Sequence, residues 1–205
     1  MTEFEAFTVE SANSHIARVR DKMLSTQDKV PERKNKLRIP LLMLASDRKI
    51  VLQGVPLVQD DDTVDRLVLP VKSAVHLGSN DTFDSILTEH LDDHMLLAHR
   101  QVPYRLFSFG NYRTFSSDNG DVPVDVTTIP GVALFGCASN EVGFRYRYQE
   151  KYGELSWFTL DKAVETLQEK AQAVDASKAI LESLVLVETI NTQIKGHHGA
   201  HSRAI

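Results

Sequence analysis

Apolar residues recur along this chain with two different periods. Near the N-terminus Val9, Ala12, Ile16, Val19 and Met23 follow steps of three and four, the spacing of an amphipathic helix. The pattern predicts a helix over residues 11–24 with a narrow apolar stripe suited to one partner surface. Residues 25–36 are polar, contain Pro31 and read as a linker. Strand character follows in residues 37–45 and 49–58, with Ser46, Asp47 and Arg48 as a hairpin turn between them. It resumes over 63–77, after Asp60, Asp61 and Asp62. Pro40, Pro56 and Pro70 interrupt these runs. A proline supplies no donor to a ladder, so edge, bulged or shortened strands are predicted there.

The helical period returns over about 82–98. Phe83, Ile86, Leu87, Leu91, Leu97 and Ala98 share one side of a wheel, and His90 and His94 fall at its centre. Ser85, Thr88, Glu89 and Asp92 face away. Ser79, Asn80 or Asp81 would cap this helix. Residues 102–115 and 122–135 read as strands around a turn-rich loop at 116–121. Residues 142–149, VGFRYRYQ, read as another strand, with Phe144, Tyr146 and Tyr148 on one face and Arg145 and Arg147 on the other. From Thr159, an expected N-cap, Leu160, Val164, Leu167, Ala171 and Val174 are spaced four, three, four, three. Leu181, Leu184 and Val185 continue the face after a slip near Lys178. One helix over about 159–194, stopped by Gly196, would be about 50 Å long.

Strands that follow strands, with helices at the flanks, predict an α+β fold with a mainly antiparallel sheet. The expected division is an N-terminal helix and linker (1–35), a single α+β domain (36–195) and a flexible tail (196–205).

Composition adds bounds. A chain of 205 residues buries enough surface to need no metal or disulfide staple. A net charge of −5 argues against a wholly basic nucleic-acid or membrane binder and leaves room for a local basic groove. Cys137 is the single cysteine, so no intrachain disulfide forms and a reducing compartment is expected. The acidic start MTEFEAFTVE does not resemble a signal peptide, and no apolar run is long enough for a membrane span. The expected location is the cytoplasm, or a virion for a viral protein.

His90 and His94 have the helical i, i+4 spacing of a two-histidine metal site, with His76, His99 or one of Asp60 to Asp62 as third ligand. Leu91 stands where H-E-x-x-H needs glutamate, and Asp93 fits H-x-x-E-H only in part. The plainer reading is a pair of hydrogen-bonded neutral imidazoles in a core or at a subunit contact, with a pH-sensitive contact as a further one. His197, His198 and His201 read as a surface tail, and Asp60 to Asp62 as a solvated turn. Cys137 and Ser139 lack a motif that supplies a base. Tyr104, Arg105, Phe107, Arg145, Tyr146 and Arg147 mix rings with guanidinium groups, as single-stranded nucleic-acid sites do. Val9, Ile16, Val19, Met23, Leu160, Val164, Leu167, Val174 and Leu181 are the candidate oligomer seam.

No catalytic constellation is complete in the sequence. The reading it favours is a non-enzymatic, self-associating structural or assembly protein, viral or phage proteins among them, without cofactor. An RNA or single-stranded DNA binder is the alternative, and a metal-dependent hydrolase on His90 and His94 the third.

Overall fold

A computed structural model describes residues 9–27, 34–59, 62–74, 81–96, 102–108, 113–117, 124–172 and 178–201. The chain is α+β, and its described residues form nine strands in one mixed, mostly antiparallel sheet between two layers of helices. The first helix, α1 (Val9–Gln27), is followed by β1 (Lys34–Leu44), β2 (Lys49–Gln59), β3 (Asp62–Val68) and β4 (Val71–Ala74).

The central strand is β1, and it changes partners along its length. Its first half lies antiparallel to β4 and parallel to β7 (Val124–Thr128). Its second half runs parallel to β8 (Gly131–Phe135) and meets β2 at Leu44 and Ile50. Pro40 sits at the changeover. It is therefore not on an edge strand: its missing donor falls where the ladder is interrupted. Pro70 and Pro130 mark the matching breaks between β3 and β4 and between β7 and β8. β5 (Tyr104–Ser108) pairs with β8, β6 (Arg113–Ser117) with β7, and β9 (Leu155–Thr159) with β2.

Alternation along β1 sorts side chains onto two cores. Leu37, Ile39, Leu41 and Met43 join Ala12 and Ile16 of α1, and Phe83, Leu87, Leu91 and Met95. Leu42 and Leu44 point the other way, toward α4 (Leu160–Ala171) and α5 (Lys178–His201).

Three expectations are corrected. The long C-terminal helix is two helices. Gln168 donates to Glu188 at 2.8 Å and Asn191 to Asp161 at 3.1 Å, so α5 folds back antiparallel on α4 rather than extending it as a rod. The slip near Lys178 marks where the second helix starts. Thr159 does cap α4, accepting from the Lys162 amide, but it is also the last residue of β9, which the sequence reading missed. The helix end expected at Gly196 is not there either, since α5 continues to His201.

The run 142–149 is not a strand. Phe144 makes an isolated bridge to Leu96, and Tyr146–Tyr152 is a short helix, α3. Helical winding brings Tyr148 and Tyr152, four apart, to a ring separation of 4.7 Å and buries Tyr148. That burial outweighs the strand preference of the aromatics.

The middle helix is also split. Regular α2 covers Phe83–Glu89, and His90–Met95 forms a turn of π-helix, with Leu96 donating to the Leu91 carbonyl at 2.7 Å. Its cap is Thr82, reciprocated by Ser85. A second cap arrives from α1: Asn13 accepts from the Phe83 amide at 2.6 Å and donates to Asp84 at 3.2 Å.

Where α2 crosses the start of β8 there is room for no side chain. A Cβ on Gly131 would lie 2.8 Å from Leu87 and 3.3 Å from both Ile39 and Phe83. Gly131→Ala should destabilise the protein by about 1–3 kcal/mol, read as a lower urea midpoint at unchanged slope. An unchanged midpoint would mean that α2 sits farther from the sheet.

Acid should weaken the fold through α1. Burial, helped by Arg18, holds His15 below its ordinary value. The folded chain then resists a proton that the unfolded chain accepts. The stabilisation is present above the unfolded pKa of about 6.5 and falls as pH drops through it. Urea midpoints at pH 7.5 and 5.5 should differ more for the wild type than for His15→Gln; equal differences would contradict this.

Candidate functional site: a carboxylate ledge on a π-helical turn

The centre of the apolar face of α2 and its π-helical extension is indeed occupied by histidine. His90 is 4% exposed, with its ring edge-on to Tyr148 at 5.7 Å. Neutral imidazole suits such a place. Burial pushes the Tyr148 hydroxyl well above its usual range. His90 thus packs α3 onto the π-turn. The side chain of His94 lies outside the described residues, as do those of His197, His198 and His201, and His76, His99, Asp60 and Asp61 altogether. Among the described residues no three His, Cys, Asp or Glu side chains come together in a metal-binding group.

The polar side of the same element carries the chemistry. Glu89 and Asp92, three residues apart, are exposed at the junction of α2 and the π-turn. Asp92 is held twice. The Tyr104 hydroxyl, reaching across from β5, donates to its Oδ1 at 3.0 Å. The Arg145 guanidinium donates to its backbone carbonyl through Nη2 at 2.8 Å and Nε at 3.3 Å. Desolvation, with the Asp92 charge adding to it, pushes the Tyr104 hydroxyl up to about 12, so it remains a proton donor at neutral pH. At the other end of α2, burial tends to raise Asp84, but hydrogen bonds from Asn13, Thr82 and its own amide outweigh it and leave its carboxyl below the usual range.

The aromatic and arginine residues do not assemble into a nucleic-acid surface. Tyr104 packs toward the core under α2 and Phe107 toward the one under α4 and α5, so the two rings lie on opposite faces of β5. Arg145 is engaged by Asp92, while Arg105, Arg147 and Tyr146 are exposed, Tyr146 at 75%. The alternating face expected for Arg145 and Arg147 is lost with the strand that would have carried it.

The candidate seam residues are largely taken up within the chain. Ile16, Leu160 and Leu167 are buried, and Val9 and Val164 pack against the two cores. Val19 is half-buried and Leu181 46% exposed; Val174 and the Met23 side chain lie outside the described residues.

Ser139 proves to be a clamp. It is 3% exposed, donates to Asp47 at 2.7 Å and accepts from Lys49 at 3.3 Å. Its hydroxyl bond is the main cause holding the Asp47 carboxyl below the usual range. The cluster ties the β1–β2 turn, where Arg48 has φ +59°, to the loop after β8. Cys137, half-buried, lies two residues earlier in that loop.

Comparison with family models finds no match, and comparison with the curated proteins finds none either. Solved structures do resemble the fold. One described as a NUDIX hydrolase from Listeria monocytogenes is 9% identical, with TM-score 0.45, covering 78% of this chain and 95% of its own. The MutT protein from Methanosarcina mazei is 11% identical, with TM-score 0.41, covering 78% and 97%. A C. elegans Ap4A hydrolase is 10% identical, with TM-score 0.38, covering 78% and 98%. Backbone likeness of this extent transfers neither reaction nor substrate to this chain. These neighbours are described as hydrolases, and the expectation of a non-enzymatic structural, assembly or viral protein finds no counterpart among them. No helix among the described residues is long and apolar enough to cross a membrane.

Proposed function

We propose that this chain is a hydrolase and that Asp92, beside Glu89 on the π-turn ledge, is its reacting carboxylate. The carrying observation is the way Asp92 is held. A π-helical turn is rare and is frequently found at functional sites. Here it keeps an acid at the surface while Tyr104 fixes one carboxylate oxygen and Arg145 the backbone behind it. Such preorganisation is what a general base requires. The carboxylate takes a proton from a water, the water oxygen bonds to the electrophilic centre of a bound ester or anhydride, the leaving group departs with the electrons of the broken bond, and the proton passes from the carboxyl to that leaving group or to solvent. Tyr104, a donor throughout, keeps the carboxylate oriented.

The test is hydrolysis by purified protein of a probe panel: an activated carboxylate ester, an activated phosphate ester and the dinucleoside polyphosphate Ap4A. The expected result is saturable turnover of at least one, with the others slower by orders of magnitude. No turnover above a heat-inactivated control on any of them would contradict the reading.

A further inference from the structure

The π-turn should not be stable by itself. Its i→i+5 hydrogen bonds are rarer and less favourable than those of the α-helix it extends, and its last carbonyls lack intrahelical partners. Arg145 satisfies two of them. The Arg145 amide donates to the Met95 carbonyl at 2.8 Å, and the Arg145 guanidinium grips the Asp92 carbonyl by two N–H groups, as given above. The same residue starts the next helix, its own carbonyl accepting from the Tyr148 and Gln149 amides at 3.1 and 3.3 Å. Phe144, just before it, bridges Leu96, just after the π-turn. His90 against Tyr148 closes the far side.

We infer that Arg145 is a positioning residue: its clasp holds His90–Met95 in the π form and so places the Asp92 carboxylate. The part that concerns catalysis rests on the hydrolase reading above; the part that concerns the π-turn does not. An arginine suits the task because its planar fork offers two parallel donors to one acceptor, which the point-like ammonium of lysine cannot reproduce. The guanidinium touches backbone behind the carboxylate, so Arg145 acts through Asp92.

The experiment uses the full chain with Arg145→Ala, Arg145→Lys and the milder Arg145→Gln, which retains one donor group if the alanine variant does not fold. Amide exchange is followed at Leu96, whose N–H makes the i→i+5 bond, with the buried Val187 amide of α5 as an internal reference. All three variants should speed exchange at Leu96 relative to Val187, by about 10- to 100-fold for alanine. On a probe that the wild type turns over, kcat should fall by a similar factor with KM nearly unchanged, and added methylguanidinium should restore part of the rate to Arg145→Ala but none to Asp92→Asn. Exchange at Leu96 that stays at the wild-type rate in every folded variant overturns the clasp, whatever the activity. Faster exchange with unchanged kcat overturns the positioning role alone. A wild type without activity overturns the hydrolase reading and its catalytic corollary, while the exchange comparison still decides the clasp.

Discussion

Gly153→Ala should be the most damaging glycine substitution in the described part of the chain. Gly153 ends α3 at φ +107°, and a Cβ there would stand 1.6 Å from the carbonyl oxygen of Gly54 on β2. Two costs combine. A non-glycine residue in that backbone region costs about 1–3 kcal/mol. The clash is with main chain that cannot rotate away, so overpacking adds about 1–3 kcal/mol or more. The backbone can yield only by loosening the join of α3 and β9 to β2, which the Gly54 amide secures on the Glu154 carbonyl at 2.8 Å. A loss of about 3 kcal/mol or more should lower the melting temperature by about 6–12 °C. Gly54→Ala is the control, since its Cβ would meet only the Glu154 carbonyl, at 3.8 Å. Equal melting temperatures for the two variants would mean that this join has been misplaced.

Much of this architecture was legible in the chain. The apolar runs over 37–45 and 49–58, with a turn between them, give β1 and β2, and the two-sided burial of Leu41 and Leu42 places them in opposite cores. The three-and-four spacing of Ala12 and Ile16 gives α1. Elsewhere local pattern and tertiary contact part company. Alternating rings and arginines at 144–148 satisfy a strand template, yet the segment is helical because Tyr148 packs against Tyr152 at helical spacing and against His90, 58 residues away and beyond any local period. The apolar face continuing past Lys178 cannot tell a rod from a hairpin, because either arrangement uses the same stripe. β9 escaped notice because LSWFT is a five-residue run that passes directly into α4.

The candidate site was legible only by its negative. His90 attracts attention because a titratable group on an apolar face is unusual, and its ring packs edge-on against Tyr148. Glu89 and Asp92 lie on the polar face, where acids are ordinary. What distinguishes Asp92 is its holders: Tyr104 is 12 residues away and Arg145 is 53. The one local sign is that both holders belong to the ring-and-arginine segments, whose guanidinium and hydroxyl groups meet protein here rather than nucleic acid.

Asp92→Asn should abolish most of the activity while leaving the fold intact. The amide is nearly isosteric, its oxygen can still accept from Tyr104, and the Arg145 grip falls on the main chain and is unaffected. Since Asp92 is exposed, the change in stability should stay within about 0.5 kcal/mol. An amide cannot take the proton of the attacking water, so the rate should fall by a factor of about 10²–10⁴. The decisive measurement is therefore kcat/KM of wild type and Asp92→Asn, side by side, on whichever probe the wild type turns over fastest, with urea midpoints recorded on the same samples. The account predicts matched midpoints and a rate lower by at least about 100-fold in the variant; matched midpoints with matched rates would contradict it.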